Sequence, residues 1–325
     1  MRVAVTSAAS VLVAVAVACA PALRSTAVRP LTGAEIAHLW QEPADLEARD
    51  LFHGAGGVEH VPPPGVAWRF KSVDTTGFSR GYDVVGPDGR DWDVKLGVEA
   101  QTEVLASRIL WAVGYHQPPT YFVIQWRLQD APGIDASHPQ PSARFRADVA
   151  GMKSAGEWSW EENPFVGTRP FQGLLVLNLL LSNWDLKGTN NRLYESVDVT
   201  EGAPQRWFVV RDLGATFGKS RGYFPGTRNN PRDYERQEFI TGVRNGYVQF
   251  AYSGRHKRLL ERITPADAVW ICERLDRLTD RQWNDAFRAA GYVEDARVRI
   301  LTTLERHITQ GLALADRPAA GASTP

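Results

Sequence analysis

Acidic, basic and amide side chains lie close together in one stretch of this 325-residue sequence. Asp185, Lys187 and Asn190 follow an apolar segment, and Asp212 follows a second apolar run at residues 207–210. Such a set can supply a carboxylate that accepts a hydroxyl proton, a cation that neutralises a phosphate, and oxygen ligands for a hard divalent cation. Transfer of a phosphoryl group from a nucleotide requires these same functions.

Both segments resemble loops of the protein-kinase-like superfamily. Residues 183–190 read Asn-Trp-Asp-Leu-Lys-Gly-Thr-Asn, which matches the family's Asp-x-Lys-x-x-Asn pattern. Residues 212–214 read Asp-Leu-Gly, a variant of the family's Asp-Phe-Gly metal loop. An Asp-x-Lys-x-x-Asn string alone is a weak signal, and it gains weight here from the apolar helix before it and the apolar strand after it.

The resemblance implies a role for each of these side chains. Asp185 would accept the proton of an attacking hydroxyl, and Lys187 would neutralise the γ-phosphate of ATP. Asn190 and Asp212 would bind Mg²⁺ or Mn²⁺ together with the phosphates. Asn191 is the alternative ligand if the register differs by one residue.

A lysine and two glutamates precede these loops. Lys95 lies at the end of the third predicted strand, where the family places the lysine that binds the α- and β-phosphates. In the family, a glutamate on the following helix orients that lysine. Glu99 and Glu103 share one helix face, so spacing alone does not separate them. Glu103 is favoured because it leads directly into the apolar stripe of the helix, and the resemblance implies that Lys95 and Glu103 bind the cofactor.

The turn at residues 74–81 occupies the position of the loop that covers the phosphates in the family. It lacks the full Gly-x-Gly-x-x-Gly pattern. Thr76 and Gly77 are nevertheless candidate cofactor-binding residues, because their hydroxyl and amide groups can donate to phosphate oxygens. An ordinary hairpin loop is the alternative.

Hydrophobic periodicity predicts the elements that position these residues. Residues 127–144, rich in Pro, Ala, Asp and Ser, are predicted to be an inserted loop. The other predicted elements are strands at 66–73, 81–85, 91–96 and 121–126, and helices at 32–40, 46–52, 99–113, 171–181, 265–275, 280–290 and 298–313, with Thr264 and Thr279 as caps.

These elements predict an α+β class and a two-lobed protein-kinase-like fold. The N-lobe would be an antiparallel sheet with one main helix, and the C-lobe would be mostly helical. The predicted domain boundaries are a leader at 1–20, a linker and N-terminal helical extension at 21–65, the N-lobe with its insertion at 66–165, the C-lobe at 166–315 and a disordered tail at 316–325.

The N-terminus has the layout of a secretory signal, with Arg2, an apolar run at 11–20 and then Pro21. Residues 16–19 resemble a lipobox with Cys19 as the lipidated residue, and cleavage near Ala20 is the alternative. The predicted location is periplasmic or at the cell surface, with membrane contact only through the leader or its lipid. An uncleaved anchor at about residues 3–23, which leaves the domain in the cytoplasm, is a further alternative.

Composition restricts the partners. Lys plus Arg and Asp plus Glu each number 37, so no basic field points to nucleic acid. The predicted partners are a nucleotide and a hydroxyl-bearing substrate. Cys272 is the sole cysteine outside the leader, and it is predicted to be buried and inert.

Departures from the family pattern resemble those of atypical kinases, and the leader adds the expectation of a bacterial secreted or lipoprotein kinase-like group. Trp184 stands where many protein kinases have an arginine that binds a phosphorylated loop, and no Ala-Pro-Glu follows residues 212–214. The resemblance implies an ATP-dependent phosphotransferase acting on a hydroxyl of a protein or a small molecule. The alternative is an exported pseudokinase that serves as a nucleotide-binding or protein-binding module, and AMP transfer also stays open.

Overall fold

The computed structural model describes residues 29–315, apart from residues 76, 199–203 and 223. The predictions for the leader, Cys19, Thr76 and the tail at 316–325 therefore lie outside the described residues. The chain divides into two compact units between Leu31 and Thr32, and the sheets, helices and cleft belong to the second unit. Within the described residues, no helix combines the length and the apolar character needed to cross a membrane.

Alternating apolar and polar residues build a six-stranded sheet in the order β4-β6-β3-β2-β1-β5. Neighbours are antiparallel except β1 and β5, which are parallel. The strands are β1 Ala67–Asp74, β2 Gly81–Val85, β3 Asp91–Leu96, β4 Thr120–Val123, β5 Arg127–Gln129 and β6 Ala143–Ala147.

The two faces of this sheet have opposite character. On β3, Trp92 and Val94 are buried in an aromatic core with Phe145 of β6. Because side chains alternate along a strand, Asp93 and Lys95 lie on the opposite face. Helix α2, Glu99–Ala112, contacts β3, β4 and β6 and brings its acidic residues to the charged side chains of the sheet.

A second, three-stranded sheet supports the loops that carry the candidate chemistry. Its strands are antiparallel, in the order β7-β8-β9: Met152–Gly156, Asn191–Ser196 and Arg206–Val210. A separate antiparallel hairpin pairs β10, Ile240–Arg244, with β11, Tyr247–Phe250.

The C-terminal region is mainly helical, and α3, α6 and α8 pack against one another. Thr168 caps α3, and Thr264 and Thr279 form capping boxes on α6 and α7, as the sequence predicts for the latter two. The helices outside the sheet region are α1 Gly33–Ile36, α3 Arg169–Leu180, α4 Pro231–Glu235, α5 Lys257–Leu260, α6 Pro265–Asp276, α7 Asp280–Ala289 and α8 Glu294–Leu312, with 3₁₀ turns at Gly54–Gly56, Val58–His60 and Gly188–Asn190.

The predicted α+β class, with an antiparallel N-terminal sheet and a helical C-terminal region, is confirmed. The domain boundaries stay predictions. Residues 127–144, however, are not simply a loop, because β5 lies within them and β6 begins near their end.

Two predicted N-terminal helices also differ from the structure. The helix capped by Thr32 ends at Ile36, and residues 46–52 form turns. The first helix is short because Trp40 pairs with Tyr115 and its Nε1 donates to the Val113 carbonyl at 2.7 Å. These tertiary contacts replace the helical hydrogen bonds that periodicity alone would predict.

Candidate active site

The loop after α3 is fixed by a chain of amide hydrogen bonds. Asn183 Nδ2 donates to Asn178 Oδ1 at 2.9 Å, and Asn183 Oδ1 accepts the Asp185 amide at 3.3 Å. Ser182, with φ of 55°, turns the backbone out of the helix. Asn183 is 1% exposed, so this buried amide ties the position of Asp185 to the helix.

Asp185, Lys187 and Asn190 lie side by side in this loop. Lys187 Nζ donates to Asp185 Oδ2 at 2.9 Å, and Asn190 Nδ2 donates to the Asp185 carbonyl at 2.6 Å. The second bond fixes the amide orientation of Asn190 and leaves its Oδ1 as the atom suited to a cation. Asn191 is buried and donates to the Trp158 carbonyl, whereas Asn190 lines the cleft.

Asp212 reaches the same place from the end of β9. The amides of Arg211 and Asp212 both donate to the Asn190 carbonyl at 3.0 Å, which fixes the two loops against each other. Asp212 Oδ1 accepts the Gly214 amide at 3.1 Å, and Oδ2 lies 3.4 Å from Lys95 Nζ.

Lys95 is surrounded by carboxylates. Its Nζ forms an ion pair with Glu103 Oε1 and lies 3.4 Å from Glu99 Oε2. Burial alone would lower the pKa of Lys95, but Glu103 and Asp212 outweigh it, so the pKa is raised. Burial likewise opposes ionisation of Glu103, yet Arg144, Lys95 and Arg146 lower its pKa to about 2. Both groups are therefore charged across the physiological range, and Glu103 is the closer of the two acids to Lys95.

Glu99 has a different set of contacts. Arg228 Nε lies 2.7 Å from Glu99 Oε1, and Ser79 Oγ donates to Glu99 Oε2 at 2.8 Å. Ser79 belongs to the loop between β1 and β2, whose Gly77 also lines the cleft with φ of 86°. Glu99 thus joins that loop to Arg228.

These side chains converge on one cleft of about 660 Å³. Its lining is mostly ionic, with Phe78 and Ala215 as apolar contributors. The charged and amide residues that line it are Asp74, Asp93, Lys95, Glu99, Arg144, Arg146, Glu157, Asp185, Lys187, Asn190, Arg192, Arg211, Asp212 and Arg228.

The donor set suits a hard cation that is shared with phosphate. Within the part of the chain described, no group of three or more His, Cys, Asp or Glu side chains could hold a metal unaided. Asn190 and Asp212 offer an amide oxygen and a carboxylate, and Mg²⁺ commonly binds through one or two carboxylates plus phosphate oxygens and water. The residues fit a cation that binds together with its phosphate ligand.

Sequence reasoning missed two residues that position the loops. His256 Nε2 lies 2.6 Å from the Leu186 carbonyl and Nδ1 lies 3.1 Å from Glu161, so the imidazole supports the loop between Asp185 and Lys187. The guanidinium carbon of Arg228 lies 4.1 Å from the ring centroid of Phe78. Neither residue belongs to a motif, and both act through residues distant in sequence.

Sequence reasoning also missed a set of arginines around Asp93. Arg144 and Arg146 of β6, with Arg211, surround Asp93 at N···O distances of 3.0, 3.4 and 2.6 Å. Burial opposes ionisation of Asp93, but these arginines outweigh it and hold the pKa of its carboxyl well below the usual range. The alternation of Ala143, Phe145 and Ala147 with the two β6 arginines is the sequence signal that could have indicated a strand.

Comparison with known proteins gives matches among solved structures. The chain aligns with the Helicobacter pylori proinflammatory kinase CtkA at 12% identity and a TM-score of 0.46, covering 81% of this chain and 100% of that one. It aligns with two structures of the Golgi casein kinase, one with Mn and ADP bound, at 8% identity and a TM-score of 0.39, covering 78% of this chain and 74% of theirs. All three are kinases. No family model and no curated protein matches the chain.

Proposed function

We propose that the chain is an ATP-dependent phosphotransferase of the atypical kinase type, which transfers the γ-phosphate to a hydroxyl of a protein or a small molecule. The observation that carries this proposal is the convergence of Asp185, Lys187, Asn190, Asp212 and Lys95 on one cleft. These residues come from a strand and two loops that are separated in the sequence. Their functions are those that phosphoryl transfer needs.

Asp185 is the group that would take the proton from the attacking hydroxyl. It is held by Asn183 and carries an ion pair with Lys187, so its carboxylate has a fixed direction within the cleft. General-base assistance of this kind contributes on the order of 10²–10⁴ in rate. Lys187 is half exposed and can exchange its contact with Asp185 for one with a phosphate oxygen.

Lys95 and Glu103 would position the phosphates. The ion pair to Glu103 fixes the ammonium group at the cleft, 3.4 Å from Asp212. A divalent cation would be held by Asp212 and Asn190, and when bound it would neutralise phosphate charge.

The test uses γ-labelled ATP with the full chain and either Mg²⁺ or Mn²⁺. Wild type is expected to transfer label to protein, to an added hydroxyl acceptor or slowly to water, and Asp185→Ala and Asp212→Ala are expected to lose that transfer. Asp135→Ala, in an exposed loop, is the matched control. Absence of both labelled product and a nucleotide-dependent thermal shift in wild type would contradict the proposal. A thermal shift without transfer would favour a nucleotide-binding module.

A further inference from the structure

The cleft extends beyond Lys95 to a group of charged side chains that the proposed transfer does not use. Asp93 lies two residues before Lys95 on β3, on the same face and about 7 Å along the strand. We call Asp93, Arg144, Arg146 and Arg211 the arginine end of the cleft. All four residues line it.

Three guanidinium groups at the arginine end share two buried carboxylates. Arg144 Nε donates to Glu103 Oε2 at 2.8 Å, and Arg146 Nη2 donates to the same oxygen at 2.5 Å. Both arginines also contact Asp93, which in addition accepts a hydrogen bond from Arg211 Nη2 at 2.6 Å. The carboxylates therefore do not match the arginines one to one.

Strand register places a further cation beside these arginines. Lys95 is directly opposite Arg144 on the neighbouring strand, and like charges in that arrangement repel. Lys95 itself is paired with Glu103 and lies 3.4 Å from both Glu99 and Asp212, so its own charge is offset by these acids. The excess of positive charge lies at the arginine end, where three guanidinium groups share Asp93 and Glu103.

Arg146 lacks a partner for part of its guanidinium group. Its side chain is 6% exposed, and its Nε has no hydrogen-bond acceptor among the described residues. Burial and the nearby Arg144 and Arg211 lower the pKa of Arg146 to about 10, despite its two carboxylates. A buried donor without an acceptor is costly. An anion that enters the cleft would supply an acceptor to Arg146 and would offset the positive charge of the arginines.

The same region offers little to a neutral aromatic base. Binding sites for flat organic groups are mostly apolar with a few polar contacts. Here Phe78 and Ala215 supply the apolar side chains of the lining, and neither has a described interaction with Asp93, Arg144, Arg146 or Arg211. Arginine is, in contrast, well suited to phosphate, because its planar group donates two parallel hydrogen bonds.

We propose that the arginine end is a second phosphate subsite, so that the cleft accepts linear inorganic polyphosphate as a phosphoryl donor besides ATP. The proposal rests on the transfer chemistry proposed above. A phosphate chain whose terminal group lies near Asp185 and Asp212 would continue past Lys95 to Arg211 and Arg146. No base is needed to hold it.

The transfer step balances with this donor. The acceptor hydroxyl oxygen forms a bond to the terminal phosphorus, and the bond from that phosphorus to the bridging oxygen breaks. The bridging oxygen keeps the electron pair and leaves as a polyphosphate shorter by one unit. The hydroxyl proton passes to Asp185.

The experiment measures binding by calorimetry in metal-free buffer at low salt, which keeps metal chelation by the ligands out of the signal. Pyrophosphate is compared with linear pentaphosphate of defined length, using the full chain. Wild type is expected to bind pentaphosphate at least about tenfold more tightly than pyrophosphate, since charge-assisted hydrogen bonds at the second subsite are added.

The variant tested is Arg211→Gln, because Arg211 is part-exposed and pairs with one carboxylate among the described residues, so the fold should tolerate the change. Arg146→Gln is the second variant. Each should weaken pentaphosphate binding about tenfold and change pyrophosphate binding less than about twofold. Arg90→Gln is the matched control, since Arg90 is paired with Asp88 in the turn between β2 and β3, outside the cleft.

Equal affinities for the two ligands in wild type would overturn the proposal, and so would an Arg211→Gln variant that weakens both equally. If ATP binds and its affinity falls in Arg211→Gln while pentaphosphate does not bind, the arginine end holds the nucleoside and the proposal is wrong, although the phosphotransferase proposal stands. If polyphosphate binds as expected but neither donor transfers label, the phosphotransferase proposal fails and the subsite stands.

Discussion

The guanidinium carbon of Arg228 lies 4.6 Å from the ring centroid of Trp184. Trp184 Nε1 also donates to the Thr227 carbonyl at 3.1 Å, so the residue before Asp185 contacts the segment that follows Gly214. The aromatic ring of this pair belongs to the loop of Asp185, and the cation belongs to the segment that follows Gly214. The contact needs no phosphorylated residue to form.

Replacing Arg228 with alanine should loosen this segment. The variant loses the ion pair with Glu99 and stacking on Phe78 and Trp184, and cation–π contacts contribute about 0.5–2 kcal/mol each. Hydrogen exchange at residues 224–230 should become faster, and the rate of phosphoryl transfer should fall. Arg232→Ala, an exposed arginine on α4, is the control. Unchanged exchange in Arg228→Ala would contradict this account of the segment.

The two acids near Lys95 should differ in their effect on stability. Glu103→Gln removes the carboxylate shared by Lys95, Arg144 and Arg146, and uncompensated buried charges cost about 3–5 kcal/mol. Glu99→Gln should cost less, because Arg228 keeps its aromatic contacts. Urea unfolding of both variants measures the difference in free energy of unfolding, and a larger loss for Glu99→Gln would show that Glu99 is the principal structural partner.

Acid should destabilise the protein partly through a buried histidine. His307 is fully buried, with Nδ1 3.2 Å from the Leu180 carbonyl and Nε2 3.1 Å from the Gln237 carbonyl. Burial lowers its pKa from 6.5 to about 4. Because the unfolded chain binds the proton more readily, the stability from this group is fully present above pH 6.5 and is lost as the pH falls towards 4.

The corresponding measurement is the free energy of unfolding across that pH range. The shift in the pKa of His307 corresponds to about 3 kcal/mol of the free energy of unfolding. His307→Gln should have a shallower dependence on pH between 6.5 and 4, since it removes the titrating group. His116, whose pKa burial also lowers to about 4, leaves a remaining slope. A slope identical to that of wild type would contradict the role given to His307.

The sequence was most informative where a local pattern determines local structure. β2 and β3 have the predicted bounds because alternation and turn residues define them, and Thr264 and Thr279 cap helices through side chains three residues away. Motif spacing likewise selected Asp185 and Asp212 as candidates for one site, and the structure brings them to the same cleft.

What the sequence could not provide depends on residues far apart in the chain. No local pattern singles out Arg144 and Arg146, since the acids that they contact, Asp93 and Glu103, lie about 40–50 residues earlier. His256 and Arg228 belong to no motif, and their importance comes from contacts made only after folding. Long-range ion pairing leaves no periodic signal along the sequence.

The most direct test of the central claim separates binding from transfer at Asp185 and Asp212. Mn²⁺-dependent ATP binding and label transfer are measured for wild type, Asp185→Asn and Asp212→Asn. Asp185→Asn should bind metal and nucleotide within about threefold of wild type, yet lose at least about a hundredfold in transfer rate, because it removes the proton acceptor and not a metal ligand. Asp212→Asn should lose both metal-dependent binding and transfer. Transfer at the wild-type rate in Asp185→Asn, or unchanged metal-dependent binding in Asp212→Asn, would contradict the assignment of this cleft as a phosphotransferase active site.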